Sequence, residues 1–340
     1  MKDTSSKITI VVPFRNIQQE GHSVDAAFTT FLNSLNSVSD CVEEVILVND
    51  HSADAWMEAL AFYRVSNWKL MSLPNEKNGK KAALELGIRE AKTDYIWTLD
   101  ADVLISQFSP KLFKEFESNL KQDLLIMPVY MNSGRSLLSQ LQTNEWRYLQ
   151  FITWFSSAVK LPMMCNGANL IFKRHVFVEN IETHRTVSSG DDMFLLSRVM
   201  KSGGDISFCW EKFGRVEISA AGSWLESMVQ RIRWAGKTTK LPFTKASVLH
   251  FLFAVVSAVH ALAFVGLFIP SWQLESAVFL SVKVLAEVLC MCGVFFNRMK
   301  MKEVMLALPQ MLIYPFFSLF IFISSLFFVP KWKGRRVSLK

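Results

Sequence analysis

From Ala246 onward the chain is dominated by Phe, Leu, Val, Ile and Ala, whereas residues 1–240 carry charged residues throughout. This break constrains the fold more than any other feature. A chain of 340 residues that is 51% hydrophobic is too apolar for one ordinary soluble domain, and the excess lies in the tail. About 20 apolar helical residues cross a bilayer core. Ala246 to Ile269 is that long, and Ser276 to Phe296 follows after a short link, which predicts a hairpin. Lys283 and Glu287 fall at i, i+4 in the second run, where pairing lowers the cost of burying each. The third run, Glu303 to Val329, contains Pro309 and Pro315. Basic residues flank both its ends, which conflicts with a simple third crossing. A re-entrant or interfacial segment, or a tail left outside, would resolve the conflict. The expected division is a globular domain over 1–240, a membrane region of two to three apolar segments over 246–330, and a basic tail over 331–340.

The net charge of +7 gathers in clusters at Arg231 to Lys245, Arg298 to Lys302 and Lys331 to Arg336. All three border apolar segments, as expected for attraction to anionic lipid on the cytoplasmic side. No nucleic-acid motif accompanies them, so nucleic acid is not an expected partner. Met1 to Lys7 has no apolar stretch of the signal-peptide kind. The expectation is an integral membrane protein of the inner or plasma membrane, its globular domain on the cytoplasmic side. Five cysteines without metal-like or disulfide-like spacing fit a reducing compartment. Cys290 and Cys292 lie in an apolar run and read as packing residues.

In the first 130 residues, strand patterns alternate with helical ones. Lys7 to Pro13, Glu43 to Asp50, Trp68 to Leu73 and Tyr95 to Leu99 read as strands. Phe28 to Leu35, Ala55 to Arg64, Gly79 to Ala91 and Leu112 to Leu120 read as helices. That alternation predicts an α/β domain with a parallel sheet covered on both faces. Leu124 to Tyr130 reads as a further strand. Ser136 to Val159 reads as a long aromatic helix, either a core helix or one facing a membrane. In such sheets ligands bind beyond the carboxyl ends of the strands. Asn49-Asp50 and Asp100-Ala101-Asp102 fall at such ends.

Strand alternation would aim Asp100 and Asp102 to one side. Two like charges that close need a positive partner. A hard divalent cation that takes one or two carboxylates, and otherwise water and phosphate oxygens, would serve. Alone, the pair reads more readily as a solvated acidic turn.

The order of the polar motifs is more informative than any one of them. Val48 to Asp54, Asn78-Gly79-Lys80-Lys81, and Thr98 to Val103 together resemble the nucleotide-sugar-binding half of family 2 glycosyltransferases. Asn166-Gly167-Ala168-Asn169 resembles the family's acceptor-side glycine segment. Ser189-Gly190-Asp191-Asp192 resembles its T-E-D catalytic segment. Gln230-Arg231-Ile232-Arg233-Trp234 matches the Q-x-x-R-W motif of its membrane-bound members, which include cellulose synthase-like and ceramide glucosyltransferase-like enzymes. The resemblance spans about residues 7 to 240. It implies a GT-A (Rossmann-like) nucleotide-sugar-binding domain followed by C-terminal transmembrane helices.

The resemblance implies an inverting, metal-dependent transfer from a nucleotide-sugar donor to a lipid or glycan hydroxyl. Asp192 sits where the family's base sits, with Asp191 in place of a glutamate. The pair reads otherwise as a helix N-cap. Asp102, with Asp100 nearby, would hold Mg²⁺ or Mn²⁺. Asp50 would contact the nucleoside, and Asp100 the ribose or diphosphate. Lys80 or Lys81 would neutralise phosphate, or simply face solvent at a helix start. Arg233 is suited to grip a diphosphate and Trp234 to stack on a sugar, with Gln230 beside them. The same segment reads as an amphipathic interfacial helix. Asn166, Gly167 and Asn169 would lie on the acceptor side. His51 stands where the family has glycine, so a different turn geometry is expected. The rival readings are a processive polysaccharide synthase subunit and a non-catalytic membrane partner with a vestigial transferase domain.

Overall fold

A computed structural model describes residues 7–15, 26–52, 60, 65–132, 134–178, 191–209, 214–238, 245–295, 301–328, 331–332 and 335–336. The expected helix over Ala55 to Arg64 (Leu60 apart), Ser189 and Gly190 lie outside these residues, as do the side chains of Cys290, Cys292 and the last two basic clusters. The chain divides into two compact units. One comprises Met1–Tyr130, Met164–Ile218 and Lys331–Lys340; the other comprises Met131–Met163 and Ser219–Pro330. The expected boundary near residue 240 therefore does not match the packing: the aromatic helix after residue 136 groups with the apolar tail.

The first unit is built on a seven-stranded sheet. Its strands are β1 (Ile8–Phe14), β2 (Glu44–Asn49), β3 (Trp68–Ser72), β4 (Tyr95–Leu99), β6 (Leu124–Ile126), β8 (Asn169–Lys173) and β9 (Ile206–Phe208), in the order β3-β2-β1-β4-β8-β6-β9. β1 pairs in parallel with β2 and β4, and β2 with β3. Every residue of β1 is buried, as expected of a strand covered on both faces. β8 runs antiparallel to both β4 and β6. The sheet is thus mixed, where strand–helix alternation predicted a parallel one. The reversal is carried by β8, which runs antiparallel to the strand on either side of it.

Leu124 to Tyr130 does not form one strand. It breaks at Met127-Pro128 into β6 and β7 (Val129–Asn132), because proline has no N–H to give a ladder. Outside the main sheet, β5 (Leu104–Gln107) pairs antiparallel with β10 (Arg215–Ser219). A short pair, β11 (Lys331–Trp332) and β12 (Arg335–Arg336), lies near the C-terminus.

The helices of this unit are α1 (Ala26–Ser39), α2 (Lys80–Glu90), α3 (Pro110–Ser118), α5 (Arg174–Val178) and α6 (Asp191–Lys201), with α4 (Leu137–Ala158) in the other unit. Ser109 caps α3 by accepting from Leu112 N, with Pro110 at the first helical position. Gly87 lets α2 press against the sheet: a Cβ there would meet Val11 Cγ1 at 2.6 Å and Val48 Cγ2 at 3.1 Å. Trp97 is fully buried, stacks on Phe113 with ring centroids 5.8 Å apart, and donates its indole N–H to Asn169 Oδ1 at 2.8 Å.

The second unit is helical: α4, α7 (Trp224–Thr238), α8 (Lys245–Gly266), α9 (Gln273–Phe295) and α10 (Met301–Phe327). α4 starts at Ser136, which accepts from Ser139 N at 3.2 Å. It buries polar residues, Gln142 to Glu145, and exposes apolar ones, Leu137 and Phe155. Two described helical stretches, Ser247–Gly266 and Glu303–Phe327, are long and apolar enough to cross a membrane. In each, most of the apolar stretch is exposed, with 11% and 17% of an 18-residue window buried. The third apolar run forms one continuous helix with both prolines inside. Residues 267–272 join α8 to α9, where the expected link ran from Pro270 to Glu275.

Candidate functional site

The carboxyl ends of β1, β2 and β4 lie side by side in the sheet, and the polar motifs leave from them. After β2, Asn49 Oδ1 accepts from Ser52 N at 2.8 Å, closing a tight polar turn. His51 adopts a left-handed φ of 56°. It thus takes the conformation that glycine adopts at no steric cost, and the turn keeps a glycine-like shape. The His51 ring holds it there, with Nε2 donating to the Lys77 carbonyl at 2.9 Å.

Asp50 is buried. Its Oδ1 accepts from Gly79 N at 3.0 Å, and its Oδ2 lies 3.8 Å from Arg15 Nη1. It therefore ties the end of β2 to the start of α2. Arg15 was not among the expected site residues. Its only sequence signal is its place two residues after Pro13, at the end of the first strand.

Asp100 and Asp102 do not continue β4. The strand ends at Leu99, and the pair lies in the turn that follows. Strand alternation therefore does not govern them: Asp100 is half-buried and Asp102 exposed. Asp100 Oδ1 is bound by the Lys80 ammonium. Burial would lower the Lys80 pKa, but Asp100, Asp192 and Asp191 together outweigh it and hold the ammonium above the usual lysine value. The structure thus brings the first aspartate of D-x-D, the first lysine of α2 and the Asp191-Asp192 pair into one electrostatic cluster. Lys81 goes the other way. Burial and nearby Arg198 lower its pKa, against Asp191 and Glu85.

Asp191 and Asp192 form the first turn of α6, where carboxylates suit the positive end of the helix dipole. Asp192 Oδ2 accepts from Gly167 N at 3.1 Å and Oδ1 from Met193 N at 2.9 Å. Cys165 donates its thiol to the Asp192 carbonyl at 3.2 Å. Asn166 Oδ1 accepts from Ala168 N at 3.0 Å, which shapes the loop that presents Gly167. Of the acceptor-side trio, Gly167 meets Asp192 and Asn166 shapes the loop that presents it. Asn169 does not fit that role. It is fully buried, and beyond its bond to Trp97 it donates Nδ2–H to the carbonyls of Pro128 (2.9 Å) and Gly214 (3.3 Å). Its amide is consumed by the core.

The residues that suit a cation are Asp102 and Asp100. Among the described residues no three His, Cys, Asp or Glu side chains gather into an all-protein cage. An exposed carboxylate beside a half-buried one nevertheless fits an ion that completes its shell with water and phosphate oxygens.

Gln230, Arg233 and Trp234 lie on α7 in the helical unit. Trp234 packs against Trp146, centroids 5.6 Å apart, and the Arg231 guanidinium stands over its ring at 5.5 Å. The structure thus engages Trp234 in packing, where sugar stacking was expected. Gln230 Oε1 accepts from Arg231 Nη1 at 3.3 Å. Arg231, passed over in the motif, is the buried cation. It binds Glu145 Oε2 through Nε at 2.8 Å and Nη2 at 2.5 Å, and Tyr314 donates its hydroxyl to Glu145 Oε1 at 3.2 Å. Gln142, on the same helix, exchanges two bonds with the Ala221 backbone, both at 3.0 Å.

Residues 9–177 match the family described as Glycosyl transferase family 2. A poly-beta-1,6-N-acetyl-D-glucosamine synthase of Staphylococcus aureus (strain COL) is 26% identical over 202 residues, 57% of this chain and 47% of that protein. The synthase of the same name from Staphylococcus epidermidis is 30% identical over 214 residues, 60% of this chain and 49% of that protein. The chain spans about half the length of the curated relatives it matches. A crystal structure of S. aureus TarS 1-349 in complex with UDP is similar at 17% identity and a TM-score of 0.44, covering 71% of this chain and 68% of that one. That likeness is too loose to bear on function.

Proposed function

Residues 9–177 form a family 2 glycosyl transferase domain of mixed α/β, GT-A-like architecture, and from that premise we propose that the chain transfers a sugar, with inversion, from a nucleotide-sugar donor to a hydroxyl of a lipid or glycan at a membrane surface. The observation that carries the reading is the cluster of Lys80, Asp100, Asp191 and Asp192 beyond the sheet's carboxyl edge. It sets a base and phosphate-neutralising groups where α/β sheets bind ligands.

In this reading Asp192 is the general base. Two backbone N–H groups fix both its oxygens, so the carboxylate is oriented before substrate arrives. It takes the proton of the acceptor hydroxyl as that oxygen bonds to the anomeric carbon. The bond from that carbon to the diphosphate breaks on the opposite face, and the nucleoside diphosphate leaves. Lys80 sits at the N-terminus of α2, and with Lys81 it supplies positive charge toward the diphosphate. Asp50, steadied by Gly79 and Arg15, is suited to bind the nucleoside. Asp102, with Asp100, would hold Mg²⁺ or Mn²⁺, which supplies Lewis-acid stabilisation of the leaving diphosphate. Gln230 and Arg233 belong to the donor side in this reading. α8 and α10 anchor the chain, with the transferase domain on the cytoplasmic side.

The similarity to poly-beta-1,6-N-acetyl-D-glucosamine synthases supports a second reading, in which the chain extends a polysaccharide processively. One experiment tests both. The full chain is purified in nanodiscs and offered a panel of radiolabelled nucleotide sugars with membrane lipid extract or short oligosaccharides. A single sugar added to an acceptor supports the first reading and a ladder of lengthening products the second. Neither transfer nor donor hydrolysis with any nucleotide sugar would overturn both.

A further inference from the structure

A buried ion pair is a weak source of stability. Desolvating both charges offsets most of their attraction, and apolar residues of similar volume often serve as well or better. Glu145 and Arg231 are such a pair, inside the helical unit. What apolar packing does not supply is a single fixed setting. Arg231 Nε lies 3.1 Å from Glu145 Oε1 and 2.8 Å from Oε2, and Nη2 lies 2.5 Å from Oε2. Such planar, charge-assisted bonds fix orientation as well as contact. Tyr314 donates to Glu145 Oε1 at 3.2 Å, so α4, α7 and α10 meet on one carboxylate.

Arg231 also organises its own helix. Its remaining nitrogen, Nη1, donates to the Ser227 carbonyl at 3.2 Å and to Gln230 Oε1 at 3.3 Å. With that oxygen held, the Gln230 amide turns its N–H2 end away from Arg231, a donor group suited to phosphate oxygens. An α-helix turns about 100° per residue, so Arg233 stands about 160° round α7 from Arg231 and about 60° from Gln230. Arg231 is buried, while Gln230 and Arg233 are half-buried. Holding Arg231 against Glu145 therefore keeps Gln230 and Arg233 together on the flank of α7 turned away from Glu145. We propose that Glu145 is a positioning residue for the donor: through Arg231 it sets the rotation of α7 at which Gln230 and Arg233 bind the diphosphate of a nucleotide sugar. This rests on the transfer reading above, in which those two residues belong to the donor side.

The test is calorimetry on the full chain in nanodiscs with Mg²⁺. It first finds which of UDP, GDP, ADP, CDP and dTDP the parent binds, and that nucleotide is then titrated into variants. Glu145→Leu/Arg231→Leu removes both charges at once, so its melting temperature should stay close to the parent's. Its Kd is expected to rise about tenfold, the scale of a lost charged hydrogen bond, at an unchanged number of sites. Loss of folded protein alone would do the reverse, giving fewer sites at the parent's Kd. Arg231→Lys keeps the charge without the fork. It should raise Kd by a similar factor, and it decides alone if the double variant does not fold. In a chain already carrying Gln230→Ala and Arg233→Ala, removing the pair should change Kd by less than about twofold, because Glu145 acts through those residues. An unchanged Kd in either variant, or a further tenfold loss once Gln230 and Arg233 are gone, would overturn the proposal and leave the transfer reading standing. A parent that binds none of these nucleotides would overturn the transfer reading, and this proposal with it.

Discussion

The backbone N–H of Gly167 donates to Asp192 Oδ2 at 3.1 Å, so the loop before β8 and the first turn of α6 hold one carboxylate between them. A Cβ on residue 167 would stand 3.4 Å from the Asp192 Cβ, ordinary contact, so the tie is the hydrogen bond and not a steric wedge. If Asp192 is the base, Asp192→Asn should lower transfer by about 10²–10⁴-fold. Nucleotide-sugar affinity, read by calorimetry, should stay within a few-fold. Full transfer by this variant would remove Asp192 from the base role.

Asp102 is exposed on the turn after β4. Chelation of divalent ions should abolish transfer, and Mg²⁺ or Mn²⁺ should restore it. Asp102→Ala should raise the metal concentration needed for half-restoration by about tenfold or more, the scale of losing one charged ligand contact. An unchanged metal titration would detach Asp102 from the ion.

Lys80 and Asp100 form an ion pair that solvent partly reaches. Lys80→Met should cost about 1 kcal/mol or less in stability, seen as a small fall in melting temperature, while weakening donor binding more than stability. The pair also sets a sign for pH. The folded-state pKa of Lys80 is raised above the usual lysine value, so its contribution is complete below that value and lost as pH rises through the folded pKa. Unfolding measured from neutral to strongly alkaline pH should show that loss in the parent and less of it in Lys80→Met.

Glu145 and Arg231 are paired and buried, with side chains 7% and 5% exposed. Glu145→Leu alone leaves a guanidinium without its counter-charge and should cost about 3–5 kcal/mol. Adding Arg231→Leu should recover much of that loss. A double-mutant cycle in detergent unfolding checks the coupling, and purely additive effects would count against it.

Gly87→Ala sets a Cβ 2.6 Å from Val11 Cγ1. The strand side chains cannot withdraw from a filled core, so overpacking of about 1–3 kcal/mol is expected. Gly79→Ala meets no atom within 4 Å but has a φ of +97°, so its cost comes from backbone strain. Thermal unfolding of the two variants should separate these causes when each is rescued by a smaller neighbour. Val11→Ala should relieve the first and leave the second unmoved.

Much of this was legible in the sequence because it depends on near neighbours along the chain. The strands β1, β2, β3 and β4, the helix α2, the polar turn after Asn49 and the i, i+4 pairing of Lys283 with Glu287 at 2.7 Å are local patterns of side-chain period and turn chemistry. Asn169 shows where that legibility stops. As a motif residue beside a glycine it reads as acceptor-facing, yet its role depends on Trp97, Pro128 and Gly214, which are distant in sequence. Arg231 within Q-x-x-R-W is similar, since its partner Glu145 lies 86 residues away.

By itself the sequence determined the strands β1 to β4, the helix α2, the apolar tail and the carboxylates available at the strand ends. Each of these follows from residue type and short-range periodicity. Tertiary structure alone decided that the sheet is mixed, that the long helix α4 groups with the apolar tail, and that the Lys80 charge is shared among Asp100, Asp191 and Asp192. Strand direction, burial and Coulomb energy depend on distances that only the folded chain fixes.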